Sequence, residues 1–180
     1  MVTPYFVLLL AIGLEHLALL RVSERNTRRL LEKGAVEYGT MYSKLSKWLG
    51  SVFIPACALE VILLHRMVIP LLCVSAFCVF LLTELVRYSS MYALGERWTF
   101  RTIAVPGARV ETGGLYKFVR HPNHMAMLLQ RFAIPLIHSA FVTAIVLGMA
   151  NAVLLRLRTK CEERALTQHS DYGTAFGRPE

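Results

Sequence analysis

The chain has 180 residues, carries a formal net charge of +8, and is 55% hydrophobic. That length suits one domain, but the apolar residues gather into long runs instead of alternating with polar ones, which excludes an ordinary soluble core as the natural reading. The pattern predicts an all-α integral membrane bundle, whose positive charge reflects loop bias and attraction to anionic headgroups and calls for no nucleic acid.

Crossing roughly 30 Å of hydrocarbon takes about 20 helical residues, with about 17 as the lower limit. Pro4 to Leu20, Trp48 to Leu64, Val68 to Val86, and Ala140 to Leu155 approach or reach that length. The first run lacks a basic n-region and a small-residue cleavage site, so it reads as a mature helix and not a signal peptide. A fifth run, Met125 to Ile137, is short and carries Gln130 and Arg131. Only His138 and Ser139 separate it from the run beginning at Ala140, so the two predict a helical hairpin and five crossings in all.

Basic residues concentrate in cytoplasmic loops. With the N-terminus outside, the inner segments hold every one of the 20 basic residues except Arg66, outside, and Arg131, within a span. This predicts a multi-pass protein of a bacterial inner membrane, with its C-terminus in the cytoplasm. Cysteines 57, 73, 78 and 161 show no CxxC spacing and no metal-ligand pattern; the first three lie within predicted spans and read as small buried hydrophobes, and Cys161, outside them, is assigned no chemistry.

The inner segments carry the polar chemistry. After the first span, "RVSERNTRRLLEKGAVEYG" predicts a short basic amphipathic helix ended by Gly34. Further on, "TFRTIAV", "PG" and "ARVETGG" place β-branched residues around a turn dipeptide, predicting a small hairpin or an extended arm. The segment "TGGLYKFVRHPNHM" follows. Pro122 suits the first turn of a helix, which leaves unpaired N–H groups beside Arg120 and His121, an arrangement that attracts anions. The same residues also suit a membrane interface where they merely snorkel.

Beyond the last span, Arg158 and Glu162 share a helix face at i, i+4, with Glu163 adjacent; as a surface pair they would contribute only about 0.2–0.5 kcal/mol. Their position beside the 112–124 segment offers another use, a carboxylate for a ribose diol and an arginine for an acidic group. Asn151 lies two turns above Arg158 on the same face. Glu15, Glu60 and Glu84, ionisable and within or near spans, read as helix-to-helix pairing groups.

With these residues in place, "GLYKFVRHPNH", a helical hairpin, and "RTKCEERAL…DYGTAF" together resemble the isoprenylcysteine carboxyl methyltransferase family. Its pattern is a G-x-Y segment, R-H-P-x-Y-x-G, and a later R-x-x-x-E-E followed by a tyrosine, here Tyr172. "ERNTRRLLEKGAVEYG" and "LGERWTFRTIAVPGA" extend the likeness to the short bacterial members.

The resemblance implies a single membrane domain over 1–180 that uses S-adenosylmethionine to methylate a lipophilic acceptor. Its cofactor segments would be 112–124 and 156–176. It assigns the cofactor to Gly114, Leu115, Tyr116, Arg120, His121, Pro122, Asn123, His124, Glu162 and Glu163. Arg158 would face the acceptor, with Asn151 and Gln130 nearby, and Arg158, Glu162 and His124 would carry catalysis. The chain departs from the pattern at His124, Ala126 and Gln130, where the family has tyrosine, glycine and, in short bacterial members, glutamate. Related readings are a phospholipid amine N-methyltransferase, a sterol-reductase-like enzyme using a reduced nicotinamide dinucleotide, and a non-catalytic membrane module or transporter.

Overall fold

The structure, a computed structural model, describes residues 2–169. Five α-helices dominate them: α1 (Val2–Glu32), α2 (Thr40–Leu63), α3 (Pro70–Leu94), α4 (Pro122–Leu136) and α5 (Phe141–His169). Two short strands, β1 (Val36–Tyr38) and β2 (Thr102–Ala104), pair antiparallel with Val36 opposite Ala104. The end of the predicted cofactor segment, 170–176 with Tyr172, lies outside the described residues.

Four helices, α1, α2, α3 and α5, are long and apolar enough to cross a membrane. Their outer faces bear exposed Val7, Leu10, Leu71, Leu82 and Val146, whereas the buried core sets small Cys57, Ala76, Ala133 and Ala140 among larger Tyr5, Phe53, Phe80 and Ile134. That inversion of the soluble pattern fits packing in lipid, where small residues let helices approach.

The expectation of five spanning helices needs correction at α4. Its 15 residues rise roughly 22 Å, short of the hydrocarbon thickness. The hairpin itself is present, and its turn at 137–140 is wholly buried, as irregular backbone at membrane depth must be. Glu60 of α2 completes the turn: its carboxylate accepts the Val142 and Thr143 N–H groups at 3.0 and 2.6 Å, capping α5 from a neighbouring helix. Arg66 holds the same carboxylate at 2.9 Å.

Helices overrun the apolar runs because polarity alone does not stop a backbone. The basic segment after Leu20 is the continuation of α1, not a separate amphipathic helix, since no glycine or proline intervenes before Gly34. There the left-handed φ of 83° and the Ala35 N–H to Leu30 carbonyl bond of 3.0 Å close the helix as expected. Likewise α3 runs to Leu94 before Gly95, and α5 continues past Leu155 through the helix-favouring "RLRTKCEERAL". Around Pro106–Gly107 a turn forms, with Gly107 at φ 72°, but no hairpin follows. The 102–104 strand instead pairs with residues just beyond α1.

Inside the bundle, Glu15 of α1 and Glu84 of α3 both engage Arg87, and Glu15 also accepts from Tyr88. Gln130 of α4 donates to Glu84 at 2.8 Å and accepts from Arg87 at 3.2 Å. The three carboxylates therefore act as helix-to-helix ties, as their positions suggested.

Candidate active site

At the end of the bundle where α1, α3 and α5 project beyond their apolar lengths, the intervening polar segments fold over one another. The link after α3 is pinned to α1. Asn26 donates to the Trp98 carbonyl at 2.9 Å, and the Phe100 N–H donates to Ser23 at 2.7 Å. Arg97 holds the 105–113 segment, donating to the Arg109 carbonyl at 2.6 Å and to Glu111 at 3.2 Å. A 3-10 turn, Gly114–Lys117, then turns Tyr116 inward.

Pro122 stands at the first turn of α4, as its sequence position predicts. His121 and His124 lie one helical turn apart, with rings stacked at 5.3 Å. They fasten α4 to α5: His121 Nε2 meets Glu163 at 3.0 Å, His124 Nδ1 meets Thr159 Oγ1 at 3.0 Å, and His124 Nε2 lies 3.5 Å from Glu162. Adjacent on α5, Glu162 and Glu163 diverge, the first toward a cavity and the second toward His121 on another face.

The cavity holds about 980 Å³ of empty space, including its open mouth, and is bounded by Tyr116, Arg120, His121, Asn123, His124, Arg158 and Glu162 together with Trp98 and the 105–111 segment. Arg97, Arg101 and Arg109 add positive charge, against Glu111 and Glu162. Residues from widely separated parts of the chain thus share one compartment.

Burial and neighbouring charges displace titration here. Burial pushes His124 down to about 4, more strongly than Glu162 opposes it, so the imidazole is neutral at physiological pH and a weak base. Burial, and next the Glu162 charge, push the Tyr116 hydroxyl up to about 12, so it stays protonated.

Other expected site residues are placed differently. Gly114 and Leu115 turn the chain but do not line the cavity, and Pro122 is buried at the head of α4. Asn151 and Arg158, both buried, border a narrow space beside the cavity. Gln130 is held within the Glu84–Arg87 cluster. Sequence reasoning missed Arg97, Trp98, Arg109 and Glu111 as wall residues; the "ERWTF" stretch gave polarity but no partner. Among the described residues no group of three or more His, Cys, Asp or Glu is gathered as for a metal.

The chain is similar to the uncharacterized protein YpbQ of Bacillus subtilis (strain 168), 29% identical over 166 residues, covering 92% of this chain and 98% of the relative. An uncharacterized protein of Haemophilus influenzae is 28% identical over 153 residues, 82% of this chain and 86% of that one. No solved structure matches the chain significantly. The model of the isoprenylcysteine carboxyl methyltransferase (ICMT) family matches residues 74–168, from α3 through nearly all of α5. More than half of the chain is so covered, and this integral membrane protein belongs to that methyltransferase family.

Proposed function

We propose that the protein O-methylates a lipophilic acceptor from the bilayer, using S-adenosylmethionine bound in the cavity beneath the α4–α5 hairpin. The single observation that carries this reading is the meeting of Tyr116, His121, His124, Arg158 and Glu162 around one compartment. Two buried polar atoms there, Asn123 Oδ1 and Arg158 Nε, have no hydrogen-bond partner among the described residues. Buried groups seldom remain so unless something else satisfies them.

The residues fit such a cofactor. Glu162 supplies an acceptor for a diol or ammonium, Arg120 and the α4 N-terminus suit a carboxylate, and Tyr116, His121 and Asn123 close the walls, with His124 beneath. Gly114, Leu115 and Pro122 shape the turn that places them, and Glu163 acts through His121. Bound there, the cofactor supplies an already activated methyl group, so no metal or strong base is needed. The protein's task is then alignment and exclusion of water.

Arg158, buried between the cavity and the narrow space that Asn151 also borders, would orient the acceptor. An anionic oxygen suits this arginine; an amine would be repelled, which argues against the phospholipid N-methyltransferase. His124, with its depressed basicity, is poorly placed to deprotonate a phenol, which favours an acceptor that arrives ionised, such as a prenylcysteine-like carboxylate. Gln130 acts at a distance through the Glu84–Arg87 cluster. The charge bias of the segments puts this end of the bundle in the cytoplasm and the N-terminus outside. The hairpin returns α5 to the same side even though α4 is short.

Membranes incubated with methyl-labelled S-adenosylmethionine and lipid extract should yield a labelled lipid. Glu162→Ala should abolish cofactor binding by calorimetry, whereas Arg158→Ala should chiefly reduce acceptor turnover. Wild-type cofactor affinity in the Glu162 variant, or preference for a reduced nicotinamide dinucleotide, would refute the assignment.

A further inference from the structure

A second cavity, with about 1310 Å³ of empty space including its mouth, lies among α1, α2 and α4. Most of its wall is hydrocarbon. Leu10, Leu14 and Leu17 line it and are themselves exposed, so its mouth faces the lipid. Along α1 it extends from Leu9 to Leu20, roughly 16 Å at 1.5 Å per residue. At Gly13 it reaches the helix backbone, since a Cβ there would meet nothing within 4 Å.

One end is cationic. Arg131 and His16 both line it, and their nitrogens lie 3.5 Å from where a Gly50 Cβ would stand. The Arg131 guanidinium sits over the Phe53 ring at 4.3 Å. Among the described residues it forms no ion pair, while Glu15 and Glu84 are both committed to Arg87. The acids therefore balance Arg131 only at range, and a cation held this way within lipid is costly. A contacting anion would interact far more strongly.

A smaller space continues from this end. It too is bordered by His16 and Arg131, and on its other side by Asn151 and Arg158. Arg158 in turn lines the cavity of the candidate active site. The cationic end of the lipid-facing cavity is thus linked to that site through shared walls. Much of the lipid-facing wall belongs to α1 and α2, outside the 74–168 family match.

We propose that this cavity captures a single-chain amphiphile with a negatively charged head, its tail along α1 and α2 and its head on Arg131, before the head passes to Arg158. Arg131 thereby becomes a specificity-determining residue that selects ionised acceptors. The role as an acceptor station rests on the methyltransferase reading; the binding itself does not.

The test uses the full chain in neutral phosphatidylcholine nanodiscs without cofactor, with radiolabelled dodecanoate and dodecanol as probes. Dodecanoate should bind at least tenfold more tightly than dodecanol. Arg131→Met should erase that preference and Arg131→Lys should retain part of it. Arg131→Met replaces a partly buried charge with an apolar side chain and is expected to fold. Gly13→Phe should weaken both probes several-fold, because it fills the tail space without touching the cation.

Equal binding of the two probes, or an undiminished carboxylate preference in Arg131→Met, would overturn the proposal. Glu162→Gln separates the two ideas: dodecanoate binding should persist when cofactor binding is lost. Cofactor failure alone strikes the methyl-transfer reading, and probe failure alone strikes the capture site.

Discussion

Replacing Glu60 with alanine tests how the buried end of the hairpin is held. Its carboxylate accepts the N–H groups of Val142 and Thr143 and pairs with Arg66. Glu60 itself is only 8% exposed. Removal orphans two backbone donors, the buried Thr143 N–H and the part-buried Val142 N–H, each costing about 1–3 kcal/mol where water cannot replace the carboxylate. Arg66, on the loop after α2 and partly exposed, can turn away and adds little. The expected loss is therefore about 2–6 kcal/mol, or roughly 5–20 °C in Tm for a chain of this size. Glu60→Gln keeps one acceptor and should lose about half as much. The assay is thermal exposure of Cys57, which is fully buried, to a thiol-reactive dye in a variant whose other three cysteines are serine. A loss below about 1 kcal/mol for Glu60→Ala would refute the cap as the element holding the turn.

Acid should destabilise the fold through His124. Its folded pKa of about 4 lies below the ordinary 6.5, so the unfolded chain binds the extra proton between those values; stability present above pH 6.5 is lost as pH falls toward 4, by about 3 kcal/mol. Tm measured across this range should flatten in His124→Tyr, and an equally steep profile in that variant would contradict the assignment. Gly148→Ala should destabilise by about 1–3 kcal/mol, because the new Cβ would stand 2.6 Å from the Phe132 ring; an unchanged melting temperature would show that the α4–α5 contact yields freely. Asn26→Ala leaves the buried Trp98 carbonyl without its donor, at a cost of about 1–3 kcal/mol. It should also loosen the cavity wall, read as faster proteolysis at 98–113; unchanged cleavage would count against that tie.

Much was legible in the chain itself. Runs of apolar residues specify membrane helices because lipid leaves the backbone no other partner, and Gly34, Pro122 and the His138–Ser139 break sit where helices end, begin and reverse. The pair of motifs around Tyr116–His124 and Arg158–Glu162 also pointed to one site, since a short hairpin must return its two ends to the same face. Helix ends were misjudged where polarity changed without a glycine or proline, as between Leu20 and Arg21, because hydropathy reports solvent and not backbone continuity.

Composition and order therefore determined a basic, lipid-embedded helical protein with polar segments gathered at the ends of a terminal hairpin. Tertiary packing decided the rest. It set which arginines wall the cavity and that β2 pairs with residues after α1. It also turned Glu60 toward the head of α5, and left Arg131 facing an apolar space in place of an acid. Each of these depends on contacts between residues tens of positions apart, and local periodicity carries no information about which distant side chain will arrive opposite.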